Sequence, residues 1–134
     1  MATVAAFGAT DQPSGSNDRT IATVVLGTAQ TGNVDTTNTA DRFGNYHGGA
    51  VVITSTIGGT PTVTVNIQGS FDNSVWFNVP YSLVATPRTF VITAITITTA
   101  VTTHYLLQET VPYRYLKCVY SANTNVTLTA TAYL

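Results

Sequence analysis

From Thr62 to Gln68 the chain reads Thr-Val-Thr-Val-Asn-Ile-Gln, with an apolar side chain at every second position. Successive residues of a strand point to opposite faces, so Val63, Val65 and Ile67 turn to a core and their polar neighbours turn outward. The C-terminal segment from Asn125 to Leu134 repeats this alternation, setting Val126, Leu128, Ala130, Ala132 and Leu134 against Thr127, Thr129, Thr131 and Tyr133. Strands are also expected over residues 20–26, closed by Gly27, and over residues 50–57, whose Val51, Ile53 and Ile57 share a face. Others are expected over 75–79, limited by Pro80, over 103–108, and over 113–121, entered through Pro112. A short edge piece is expected over 82–86. Residues 89–98 carry Phe90, Val91, Ile92, Ile95 and Ile97 on both parities, which predicts a strand covered on both faces.

The connections are read from turn formers. Gly58-Gly59-Thr60-Pro61, the segment 69–74 around Asp72-Asn73, and Ala122-Asn123-Thr124-Asn125 are expected to turn the chain. Residues 1–19 hold Gly8, Asp11, Pro13, Gly15, Asn17 and Asp18, the composition of an irregular arm. Residues 30–49 form a largely polar segment, with Phe43 and Tyr46 within it, and predict a long loop, of the kind that is either functional or flexible. No segment has the pattern of an amphipathic helix, and no internal repeat is seen. The expectation is an all-β chain: an antiparallel β-sandwich of about eight strands, immunoglobulin-like or jelly-roll, over residues 20–134, with an extended N-terminal arm over 1–19.

Composition changes the picture in one respect. Thr, Val and Ile make up more than a third of the 134 residues, charged residues only 8%, and the net charge is −1. Freely dissolved monomers usually carry more charge, so that copies repel one another. A hydroxyl-faced, nearly neutral chain suits a life against other protein surfaces. The five basic residues Arg19, Arg42, Arg88, Arg114 and Lys117 are scattered, so no direct nucleic-acid partner is expected. No apolar run approaches the roughly 20 residues that cross a bilayer, and the N-terminus lacks the pattern of a secretory signal. No membrane partner is expected, and the chain is read as made in the cytosol and soluble.

Candidate chemistry is sparse. His47 and His104 have no partner at metal-ligand spacing, and Cys118 is the single cysteine, so it reads as a small core residue. Asp11, Asp18, Asp35 and Asp41 lie in turn-rich stretches where Asx side chains bond the nearby backbone; Asp72 and Glu109 stand isolated. No serine has a nucleophile-elbow context. No enzyme activity, catalytic residue, metal or cofactor is expected. Trp76 and the seven tyrosines could instead form partner contacts, and Trp76, Tyr113 and Tyr115 are candidates for an exposed aromatic platform.

The segment Gly59-Thr60-Pro61-Thr62-Val63-Thr64-Val65-Asn66-Ile67-Gln68-Gly69-Ser70-Phe71-Asp72-Asn73-Ser74-Val75-Trp76-Phe77 resembles a pattern in small structural virion proteins of tailed bacteriophages. In these a Gly-Thr-Pro turn leads into an alternating strand, a polar turn and a Trp-Phe strand. Pro112-Tyr113-Arg114-Tyr115-Leu116-Lys117 and the Thr-rich final strand are similar to the same group, and the likeness spans about residues 50–134. It implies a capsid decoration, or cement, protein. Such a protein would bind the major capsid protein on the capsid exterior as a homo-oligomer, a trimer by preference, and bridge capsomers. On that reading Val4, Phe7 and Arg19 of the arm, with Arg42, Phe43 and Tyr46 of the long loop, are the contact candidates. The alternative is a tail or fibre module that recognises host-surface carbohydrate through Trp76, Tyr113 and Tyr115.

Overall fold

The structure is a computed structural model that describes residues 23–42, 49–108 and 111–134. The described residues contain no helix. Nine strands follow in chain order: β1 (Thr23–Gln30), β2 (Ala40–Asp41), β3 (Gly49–Ser70), β4 (Phe77–Asn78), β5 (Tyr81–Leu83), β6 (Thr86–Val91), β7 (Ile95–Ile97), β8 (Thr102–Leu107) and β9 (Tyr115–Tyr133). All pairings are antiparallel, as expected. They form one hydrogen-bonded sheet, with a main path β1-β9-β3-β8-β5-β6 and with β2, β4 and β7 attached beside it.

The two long strands organise everything else. β3 and β9 pair from Ala50↔Tyr133 to Ser70↔Tyr115, so each of them absorbs two of the expected strands. The Gly58-Gly59-Thr60-Pro61 and Ala122–Asn125 segments therefore do not reverse the chain. They lie opposite each other and interrupt the ladder: Ile57 pairs with Val126 and Val65 with Tyr120, eight steps along one strand against six along the other. The surplus is a bulge, and Thr60 (φ 46°), Ala122 (φ 51°) and Asn125 (φ 55°) take left-handed backbone around it. Turn-forming residues serve here as a corner inside continuous strands, which is one way a sheet changes direction.

On either side of this corner the ladder gains different neighbours. The first part of β3 pairs with β8, and its last part pairs with β7 and β4. The last part of β9 pairs with β1, and its first part pairs with β2. Inward positions from both parts, among them Val51, Ile53, Val63, Val65, Leu116, Cys118, Leu128 and Ala130, join a single hydrophobic core. Alternation set these residues inward, and burial of each large aliphatic contributes about 1.5–3 kcal/mol against its exposed state.

Several expectations are corrected. Gly27 does not end β1, which continues to Gln30 through register shifts on either side of that glycine. The described part of the 30–49 loop is tied down along β9: Tyr120 N–H donates to Val34 O at 2.8 Å, Thr36 N–H donates to Cys118 O at 2.9 Å, and Ala40 pairs with Leu116. The strand expected over 75–79 shrinks to Phe77–Asn78. The strand expected over 89–98 splits into β6 and β7. In β7, Ile95 and Ile97 are buried, whereas every residue of β6 is exposed. Both-parity apolar residues thus mark a strand that no described residue covers on either face.

Candidate functional site

The most densely connected polar group lies where β2 meets the start of β9. Ser70 O accepts the Arg114 N–H and Arg114 O accepts the Arg42 N–H, each at 2.9 Å, so the backbone fixes both arginines. The Arg42 guanidinium then lies 4.2 Å from the Tyr113 ring centroid, and its Nη1 donates to Tyr113 O at 3.1 Å. Arg114 forms a two-pronged pair with Asp41, Nε to Oδ1 at 2.9 Å and Nη2 to Oδ2 at 3.0 Å. Tyr113 is fully buried, and burial pushes its hydroxyl up to about 12, opposed by the Arg42 charge. Gly69 allows this packing, because a Cβ there would lie 2.8 Å from Val79 Cγ2 and 2.9 Å from Tyr113 Cγ.

These facts change two candidates. Arg42 is only 3% exposed, so it is a core-facing arginine and not a free surface grip; the electron-rich Tyr113 face and the carbonyl hold it inside. Tyr113 cannot belong to an exposed platform. Asp41, expected to bond its local backbone, instead pairs with Arg114 across the sheet, and Asp35 pairs with Lys117 at 2.9 Å. Val4, Phe7, Arg19, Phe43 and Tyr46 lie outside the described residues, as do the 1–19 arm, His47 and Glu109.

Trp76 and Tyr115 are half-buried, and each has a cation against its ring. Lys117 Nζ lies 4.3 Å from the Trp76 centroid, and Arg114 Cζ lies 5.1 Å from the Tyr115 centroid. Lys117 also carries the Asp35 ion pair, so this stripe is an internally neutralised strip of aromatic, base and acid. Asp72 caps the neighbouring turn by accepting from the Ser74 and Val75 N–H groups, both at 2.9 Å, and from Ser70 Oγ at 3.0 Å. The Val75 and Ser74 bonds, then that from Ser70, hold its carboxyl below the usual range. Among the described residues no three His, Cys, Asp or Glu side chains converge as metal ligands.

No protein-family model matches the sequence, and no curated protein matches it. A solved structure does: the SPBc2 prophage-derived protein YomS is similar over 85% of this chain and 92% of its own, with a TM-score of 0.58 at 9% identity. At that identity the likeness is one of fold.

Not foreseen from the sequence is the apolar outer surface of the β5–β6 hairpin and of the residues just after β6. Leu83, Val84, Phe90, Val91 and Ile92 are all exposed, with Val84 at 63% and Ile92 at 59%. A smaller apolar knob, Phe71 and Val75, stands on the Asp72 turn. The signal for the hairpin was already there, in apolar residues on both parities, but the same pattern fits a strand buried on both sides.

Proposed function

We propose that this chain is a non-enzymatic structural protein of a tailed-bacteriophage virion, and specifically a decoration or cement protein on the capsid exterior. The observation that carries the virion reading is the fold shared with a prophage-derived protein over 85% of this chain. Fold alone does not imply function, so the chemistry must agree. It does: ion pairs are spent internally, the outward faces are hydroxyl and apolar, and the net charge is −1. Such a surface suits packing among many copies, where modest contacts are multiplied by avidity.

The decoration role adds that the chain bridges capsomers, with the major capsid protein as partner and the segment 1–19 as a grip. Imaging of phage particles made with and without this chain tests it. Density that appears on the head exterior only when the chain is present is the expected result. Density confined to the tail would replace decoration by a tail role, and absence from the particle would overturn the virion reading. A chain lacking residues 1–19 is expected to stay folded and to lose head occupancy.

A further inference from the structure

We infer that the corner of the β3–β9 ladder holds a binding cleft for a neutral saccharide. Three separate stretches of chain enclose a space of about 350 Å³ there: residues 31–32 just after β1, residues 56–58 of β3, and residues between 123 and 127 of β9. Small-ligand clefts usually measure about 300–1,000 Å³, so the space suits one or two sugar rings. The bulge accounts for its lining. Thr56 pairs with Thr127 and Ile57 with Val126, after which the regular register is lost until Thr62. Side chains of both parities therefore reach one cleft, which a regular strand would forbid.

The walls are held by bonds that need no ligand. Asn123 Nδ2 donates to Gly32 O at 3.2 Å and to Val126 O at 3.0 Å, and its Oδ1 accepts the Val126 N–H at 3.1 Å. This one amide ties the segment after β1 to the corner. Asn125 donates Nδ2 to Gly59 O, and Gly58 leaves room for it, because a Cβ there would lie 3.2 Å from Asn125 Cβ. Uncommitted are Asn125 Oδ1 and the hydroxyls of Thr31, Thr56 and Thr127, which have no hydrogen-bond partner among the described residues. They comprise one acceptor and three groups that both donate and accept, the complement of a sugar's hydroxyls. None of the lining side chains is charged, so nothing there would compensate an acidic or basic ligand for its lost hydration. Ile57, 44% exposed, adds an apolar patch for the C–H face of a ring. Trp76, Tyr113 and Tyr115 take no part in the cleft. This inference stands on the corner and not on the virion reading.

The test is a titration of the isotope-labelled full chain with maltose, lactose, rhamnose and N-acetylglucosamine, followed through its amide NMR spectrum. At least one of these sugars is expected to shift the Thr31, Gly32, Thr56, Gly58 and Asn125 amides selectively, with a dissociation constant in the millimolar range or below. Added salt should leave that constant unchanged, since no charge takes part. Thr56→Val combined with Thr127→Val keeps the β-branched shape and removes two hydroxyls, and is expected to weaken binding by about tenfold or more. Thr31→Trp, which fills the cleft from an exposed position, is expected to abolish it, and Trp76→Ala to leave it intact. Amide spectra otherwise like that of the unmodified chain would show these variants folded. Silence of all four sugars in the tens of millimolar would overturn the site. So would shifts centred on Trp76, or an affinity indifferent to both the paired valine and the Thr31→Trp substitutions. Absence of the chain from phage particles is a separate outcome that bears on the virion reading alone.

Discussion

Arg42 lays its guanidinium 4.2 Å from the centre of the Tyr113 ring and donates Nη1 to the carbonyl of the same residue at 3.1 Å. One buried cation thus binds the approach to β9 through both its ring and its backbone. Arg42→Ala is expected to lower stability by about 2–4 kcal/mol, because the carbonyl loses a charged donor and the ring its cation. Arg42→Lys should recover only part of this, since an ammonium lacks the planar fork that stacks and donates at once. Urea unfolding, with the midpoint shifting at constant slope, is the measurement.

Gly69 occupies a position in β3 where the Val79 and Tyr113 side chains already lie within 3 Å of any added Cβ. Gly69→Ala is expected to cost about 1–3 kcal/mol through overpacking. A neutral or stabilising result would mean that the Tyr113 ring does not pack against this backbone.

The corner contains a β-branched residue in left-handed backbone, Thr60 at φ 46°. That conformation is unfavourable for Thr and tolerated by Asn, so Thr60→Asn should gain about 0.5–1 kcal/mol. Asn125, at φ 55°, already has the suitable residue, and Asn125→Val should lose about 1–2 kcal/mol. Thermal melts of both variants test whether the bulge holds this geometry.

Burial raises the Cys118 thiol from 9.0 to about 12 and the Tyr113 hydroxyl from 10.0 to about 12, and it also raises Tyr105 and Tyr120. Unfolded, these groups release their protons at lower pH than they do when folded. The stability they contribute is fully present below about pH 9 and declines as pH rises toward 12. Alkaline unfolding followed by fluorescence should show this loss, and Cys118→Ala should make the decline shallower. The same burial predicts that thiol reagents label Cys118 at pH 8 only as fast as the chain opens.

Alternation by itself determined that the chain is all-β and antiparallel, and it determined which side chains of β3 and β9 enter the core. Those choices are local, because a strand's period of two assigns faces whatever its neighbours are. The sequence also carried the poverty of titratable residues and the turn chemistry at 58–61 and 122–125. The tertiary structure decided what that chemistry does: Gly58–Pro61 and Ala122–Asn125 face each other across one ladder, so they form a corner where hairpins were expected. It likewise decided that Arg42 lies inside and β6 outside, since a residue's exposure depends on which strand ends the sheet, and strand order is fixed by pairings between residues far apart in the chain.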